Sequence, residues 1–512
     1  MPEVIRRDPL APLVAIVSAV VYTLHGFHGA LTRDLGLYSY AGQQVADGVP
    51  PYLGLLNRAG PLAHVLPAIG ALLGRALGAD QVVTMRVVFM VFATAAVVVT
   101  YLLGRDLLDS RAAGLVAASG LLSFHGFIQY ASDGPREKTP MVLFVVLALW
   151  AVTRRRWLTA GICTSLATLC LQTAFFSTFA AVVVAAILVP VAHGDRVRGR
   201  LVALLRVALG GLVPVAVLAA WFALAGSLRE SWDAFYVINR RYTVPDPILD
   251  LDQVWLGLQE AYGATAWLLL GGAAALVVVT LAAVVPRARR AFPALEVLPA
   301  MTAGLLAGLW WITKEYDSWA DLFPLLPFAA LGMGAAAAVV VRRLAPRPRW
   351  LLAAAAAVTC LALALDYSLT TRDDTLDLQR EATEAVLAEL PDGATITSVE
   401  GPQPLVLTDR TNPTRYQMFR SGLQDYMDDT WPGGLDGFKR DLVADGPDLV
   451  STGETVSLTW RRALTPDYVF VGRAPQWEWY ARADLGEETI ARLREAADYD
   501  PADPFAVLED SP

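Results

Sequence analysis

The 512-residue sequence predicts a polytopic α-helical membrane protein with about eleven transmembrane helices, followed by a C-terminal extracytoplasmic α/β domain. Three observations lead there. The chain is 55% hydrophobic and 18% charged, with a mean hydropathy of +0.45, too apolar for a soluble protein of this length. Apolar windows long enough to cross a ~30 Å hydrocarbon core recur from residue 10 to about residue 366 and then stop. Beyond that point regular charges, Asp, Gly and Pro take over, so residues 1–366 read as a membrane domain and 367–512 as a separate external domain.

The spans fall near 10–30, 84–103, 112–131, 139–153, 157–175, 176–193, 201–226, 263–285, 294–313, 322–341 and 350–366. The first is too long for a signal peptide and has no small-residue cleavage site before the polar loop, so it reads as a retained anchor. Basic clusters orient the set. With Arg6 and Arg7 inside, alternate loops carry Arg105 and Arg111, Arg154 to Arg156, Arg196, Arg198 and Arg200, Arg287, Arg289 and Arg290, and Arg342, Arg343, Arg347 and Arg349. Every cluster then lies on the cytoplasmic side. An odd number of spans puts the 31–83 loop, the SDGPREKTP loop, the aromatic 227–262 loop, the ITKEYDSWADLFP loop and the C-terminal domain outside.

Runs such as AALVVVTLAAVV need no role beyond lipid contact or close helix packing. The 227–262 loop, with Trp232, Phe235, Tyr236, Tyr242 and Trp255, suits the headgroup region. After residue 366, TLDLQREATEAVLAEL reads as a helix stopped by PDG. ATITSV, PLVLTD, PDLVST and DYVFVG then read as short β-branched runs around a helix near 434–445.

Partners are bounded by charge and cysteine. A net charge of −8 and a pI near 5.3 exclude nucleic acid. Cys163, Cys170 and Cys360 all sit in spans, where they match no disulfide framework and no metal spacing. Lys138, Lys314 and Lys439 are the only lysines against abundant Arg and Ala, the imprint of a GC-rich genome.

Chemistry is expected where charge gathers beside clean spans. The first loop holds Asp34, Tyr38, Tyr40, Gln43, Gln44, Asp47, Tyr52, Asn57, Arg58 and His64. Its early part forms a short helix ending at Gly48, after which Pro50 and Pro51 send the chain out extended. Asp34 at the start of that helix is either a cap or a working carboxylate. The second loop carries Asp133, Arg136, Glu137 and Lys138, and the third Lys314, Glu315, Asp317 and Asp321 beside Trp319. Taken singly, these are a solvated tip and an ion-paired loop. Taken together, they offer a carboxylate to accept a proton and cations to hold a phosphate.

The first loop also resembles that of the C-type (GT-C) glycosyltransferases, above all the dolichyl-phosphate-mannose-dependent mannosyltransferases and their protein mannosyltransferase relatives. The matching pieces are Asp34, Tyr38, Ala41, Gly48, Pro51-Tyr52 and Gly60-Pro61-Leu62, with TDRTNPTRYQMF (408–419) similar in the external tail. Leu35 stands where relatives often carry a second acid, and Gly60 replaces a Pro. The resemblance implies transfer of a sugar, mannose by analogy, from a polyprenyl-phosphate donor to a hydroxyl of a lipid-linked glycan or protein, at the outer face of a cell membrane. It implies Asp34 as the catalytic base and Arg136, Lys138, Lys314 and Arg58 as donor-phosphate ligands. Tyr38, Tyr52, Asn57, Glu137, Glu315 and Asp317 become candidates for sugar or acceptor binding. No cofactor is required by this reading, although a divalent metal is compatible with it. The competing readings are a transporter or flippase of lipid-linked glycans and a ligand-binding receptor.

Overall fold

The computed structural model describes residues 8–189, 196–243, 250–284, 297–342, 344–420, 422–454 and 456–500. The clusters Arg6/Arg7 and Arg287/Arg289/Arg290, together with Arg343, lie outside the described residues. The chain divides into two compact units. One comprises Met1–Gly26, Arg86–Trp221 and Pro245–Arg372, and the other Phe27–Met85, Phe222–Val244 and Asp373–Pro512.

The first unit is helical. All eleven segments expected to span are helices, because a long apolar run without polar interruption satisfies its backbone only within itself. Five helical stretches are long and apolar enough to cross on their own: Gln81–Leu108, Val197–Leu224, Thr265–Ala283, Trp319–Val341 and one beginning at Pro346. Arg111–Ser123 and His125–Ser132 form a sixth as a pair bent by 69°. The other expected spans of this unit, Leu10–His25, Lys138–Thr153, Trp157–Cys170, Ala174–Leu188 and Leu298–Ile312, are shorter apolar helices. Small residues set the helix contacts. Gly272 and Gly332 bring Thr265–Val284 and Leu326–Val341 together so closely that a Cβ on Gly332 would run into the Gly272 carbonyl. Outward positions of the 197–224 helix (Leu201, Leu205, Leu209, Leu212, Val217) are exposed leucines and valines, an apolar face of the kind that lipid covers. Cys163, Cys170 and Cys360 are buried and unbridged.

At one end of this unit Arg105 pairs with Asp8 at 2.7 Å, Arg154 with Asp106 at 2.7 Å, and Arg342 donates to the Leu108 carbonyl at 2.9 Å. Three of the basic clusters used for orientation therefore gather at one place.

The second unit is an α/β/α sandwich. Its four-stranded sheet comprises β1 (Ile396–Val399), β2 (Leu449–Gly453), β3 (Tyr468–Ala474) and β4 (Trp477–Arg482), in the order β1-β2-β4-β3. β1 and β2 run parallel, and the other pairs are antiparallel. Side chains alternate across the sheet as the pleat requires. Ile396, Leu449, Trp477, Trp479 and Ala481 join one core with Leu376, Val386 and Leu493, while Val399, Val450, Phe470 and Tyr480 join another with Met427, Phe438 and Trp460. Leu31, Leu35, Leu37, Tyr40 and Ala41 belong to the first core. The first-loop helix is thus a layer of this sandwich.

Three local expectations change. The Pro50-Pro51 segment turns instead of extending, with Leu53 N–H donating to the Pro50 carbonyl at 3.2 Å and Tyr52 at φ +71°. Residues 62–77, read as loop, form a helix, Leu62–Leu77. PLVLTD contributes a helical turn, Gln403–Leu407, because Pro404 near its start is preorganised for helix and has no N–H to lose there.

Candidate active site

Asp34 lies in the first turn of Arg33–Ala46, whose N-cap is Thr32. Two features make this segment helical and hold it. Apolar residues on one side enter the sandwich core, and the opposite turns offer polar groups to the 402–412 segment. Tyr40 Oη accepts the Asn412 N–H at 2.9 Å, and Gln43 Nε2 donates to the Val406 carbonyl at 3.0 Å. Gly36 faces Pro402, and Gly42 faces Pro67 so closely that a Cβ there would lie 2.6 Å from the Pro67 Cβ. Burial pushes the Tyr40 phenol up to about 12, so it stays protonated.

The Asp34 carboxylate is gripped by its neighbour. Arg33 Nε and Nη2 both donate to Asp34 Oδ1, at 3.0 and 2.8 Å. Arg33 Nη1 lies 3.7 Å from Glu400 Oε2. The Asp34 carboxylate is therefore half-buried and oriented by a rigid guanidinium fork.

The rest of the first loop braces itself. Tyr52 is fully buried and donates to the Ala59 carbonyl at 2.8 Å, with its ring against His64 and Phe222. Asn57 Oδ1 accepts the Ala59 N–H at 3.2 Å and faces His64 Nε2 at 3.0 Å. Burial pushes His64 down to about 3, so it is neutral and adds no positive charge. Arg58 donates from Nη1 to Thr243 Oγ1 at 3.2 Å, and its carbonyl accepts Asn239 Nδ2 at 2.9 Å. Tyr38 is half-buried.

In the first unit the structure joins the second and third loops. Lys138 Nζ, almost wholly buried, donates to Asp321 Oδ1 at 2.9 Å. Asp321 Oδ2 accepts the N–H groups of Asp317 and Ser318, both at 2.9 Å, which ties the third loop into a turn. Arg136 sits over the Tyr130 ring at 5.4 Å, Tyr130 packs on Trp319 at 5.0 Å, and buried Glu137 lies 3.5 Å from Arg136. Lys314 is exposed and has no ion-pair partner among the described residues. Glu315 is half-buried, and Asp317 is exposed. Asp133 faces His25 at 3.5 Å, and Tyr367 is stacked between His25 and His125.

The sequence reading thus missed Arg33, Glu400 and the partnership of Lys138 with Asp321. Arg33 was adjacent to the residue already singled out, and a fork beside a carboxylate is the signal that was there to read. Among the described residues, no group of three His, Cys, Asp or Glu side chains is placed to hold a metal ion.

No protein-family model matches the sequence, and no curated protein matches it. Solved structures do. ArnT from Cupriavidus metallidurans in the apo state superposes with a TM-score of 0.64 at 12% identity, over 96% of this chain and 99% of that one. The same protein bound to undecaprenyl phosphate gives 0.66 at 12% identity, over 93% and 99%. The Archaeoglobus fulgidus oligosaccharyltransferase, in complex with Zn and sulfate, gives 0.50 at 14% identity, over 92% and 73%. The chain has the GT-C fold.

Proposed function

We propose that this protein transfers a sugar from a polyprenyl-phosphate carrier to an acceptor hydroxyl on the outer face of a cell membrane. The observation that carries the reading is Asp34, held by Arg33 in the first turn after the first apolar helix, in a chain whose fold is that of membrane glycosyltransferases. ArnT bound to undecaprenyl phosphate supports a lipid phosphate as the donor class. Mannose, and a lipid-linked glycan or protein as acceptor, follow from the first-loop resemblance. The basic ends at Arg105, Arg154 and Arg342 are assigned to the cytoplasm, and residues 367–512 to the outside.

The reaction exchanges one bond for another. The acceptor oxygen bonds to the anomeric carbon as the bond from that carbon to the phosphate oxygen breaks, and the acceptor proton passes to Asp34. Base catalysis of this kind contributes on the order of 10² to 10⁴ in rate. The polyprenyl phosphate leaves as a stable anion, so it needs positive charge and no acid. Arg58, Arg136, Lys138 and Lys314 are the cations assigned to it. Lys314 offers its whole charge, whereas Lys138 shares its charge with Asp321. Tyr38, Glu315 and Asp317 are assigned to sugar or acceptor hydroxyls, as are Tyr52, Asn57 and Glu137, which are buried.

Membranes containing the protein are incubated with radiolabelled polyprenyl-phosphate sugars. Label is expected to leave the donor for lipid or protein acceptor with the wild type, and Asp34→Asn is expected to lose at least 10²-fold in rate while remaining folded. Undiminished transfer by that variant would remove Asp34 as the base. The 69° break between Arg111–Ser123 and His125–Ser132 favours a second reading, a flippase, since broken helices line transport paths. Movement of intact labelled lipid across the membrane without loss of its sugar would establish that reading instead.

A further inference from the structure

We propose that Glu400, in the external α/β unit and 366 residues along the chain from Asp34, is a positioning residue for the Asp34 base. The inference rests on the reading of Asp34 given above.

Glu400 is built with unusual care. It takes φ +63°, a left-handed conformation that a residue with a side chain keeps only when its surroundings over-determine it. Those surroundings are present. Its N–H donates to the Gln417 carbonyl at 2.8 Å, and its backbone pairs with Thr452 in an isolated antiparallel bridge. Its carboxylate is 3% exposed. The Phe419 N–H donates to Oε1 at 3.1 Å, and Arg420 Nε donates to Oε2 at 3.0 Å. One guanidinium and a backbone N–H already compensate this buried charge. The other guanidinium facing it, Arg33 at 3.7 Å, is the one that grips Asp34.

A guanidinium is planar and its donors are fixed relative to one another. Arg33 places Nε and Nη2 on Asp34 and turns Nη1 toward Glu400. Any rotation of the plane away from Glu400 therefore also rotates the two N–H groups on Asp34. Glu400, held from three sides, acts as the fixed point against which the fork is set. The result is a carboxylate held in one direction.

The test is a double-mutant cycle on the full chain in detergent or membranes, with Arg33→Gln, Glu400→Gln and the pair, read as kcat and KM with a polyprenyl-phosphate sugar. Misplacing a catalytic group by about 1 Å can cost 10²-fold, so Glu400→Gln is expected to lower kcat about tenfold to a hundredfold. KM stays within about twofold, and the melting profile matches wild type. Glu400→Asp, which keeps the charge, recovers part of the loss. In the Arg33→Gln background, Glu400→Gln is expected to remove nothing further, because its effect passes through Arg33.

Losses in kcat that multiply independently across the cycle would overturn the proposal. So would a loss that merely follows the folded fraction. Wild-type kcat in a folded Glu400→Gln protein, with Asp34→Asn inactive, overturns the proposal and leaves the transferase reading standing. Absence of transfer by the wild type from any polyprenyl-phosphate sugar overturns both.

Discussion

Arg461 and Glu478 form an ion pair inside the α/β unit, and Arg461→Met tests what that pair contributes. Arg461 Nη1 lies 2.6 Å from Glu478 Oε2, with the side chains 3% and 0% exposed. Thr452 Oγ1 donates to the same carboxylate at 3.3 Å, and Arg473, 3.6 Å from the other oxygen, is partly in solvent. Burial pushes the Glu478 carboxyl up, and Arg461, Arg473 and Thr452 pull it back without cancelling the rise. The sign follows. A carboxyl whose folded pKa is raised binds its proton more tightly folded than unfolded, so its ionised form costs stability above that pKa and the cost disappears as pH falls through it. Arg461→Met takes away the strongest compensation and leaves a buried charge, a change worth about 3 to 5 kcal/mol at pH 7.5. The Glu454 carbonyl also loses the Arg461 Nη2 hydrogen bond, about 1 kcal/mol more. The assay is thermal unfolding followed by tryptophan fluorescence, since Trp460, Trp477 and Trp479 are buried in this unit. Arg461→Met is expected to melt well below wild type at pH 7.5 and to recover most of the deficit near pH 5. Arg461→Met with Glu478→Gln is expected to recover it at both. A variant as stable as wild type at pH 7.5, or a deficit indifferent to both pH and Glu478→Gln, refutes the reasoning.

Other outcomes follow from the same geometry. Lys314→Gln is expected to raise KM for the lipid donor about tenfold to a hundredfold with little change in melting, because an exposed cation binding a phosphate contributes about 1.5 to 3 kcal/mol to binding and little to folding. Asp321→Asn is expected to destabilise the first unit, measurable as a lower melting temperature. One amide cannot accept from the Asp317 and Ser318 N–H groups and from Lys138 at once, and the lysine is left buried. Gly42→Ala is expected to cost about 1 to 3 kcal/mol in unfolding, as its Cβ would press on Pro67.

The helices were legible in the sequence because hydropathy is local: a run such as LAPLVAIVSAVVYTLH declares itself without reference to any other part of the chain. The 62–77 helix was hidden by its position inside a polar loop and by Pro67, which reads as a breaker. β4 was hidden differently. WEWYAR carries a Glu at its second position, which argues for an exposed turn until Arg461, on the preceding helix Leu458–Leu464, is seen to pair with it. Asp34 was legible as a motif residue, but its setting was not. Arg33 and Glu400 become partners only through the fold, and no pattern in residues 31–83 points to position 400. Tyr52, Asn57 and His64, grouped with the polar candidates by composition, turn out to be hydrogen-bonded to the loop itself.

The sandwich that holds the Arg33–Ala46 helix is assembled from the two ends of the chain. Gln379 donates to the Leu31 carbonyl and accepts its N–H across 348 residues, and Leu376 donates to His28. During synthesis the helix bearing Asp34 is made early, then waits through the translation of nearly all the membrane spans before strands 396–399 and 449–453 exist to receive it. At ~5–20 residues per second that wait lasts tens of seconds. A chain halted anywhere before residue 400 carries its first apolar helices and still lacks the strands on which Arg33–Ala46 packs.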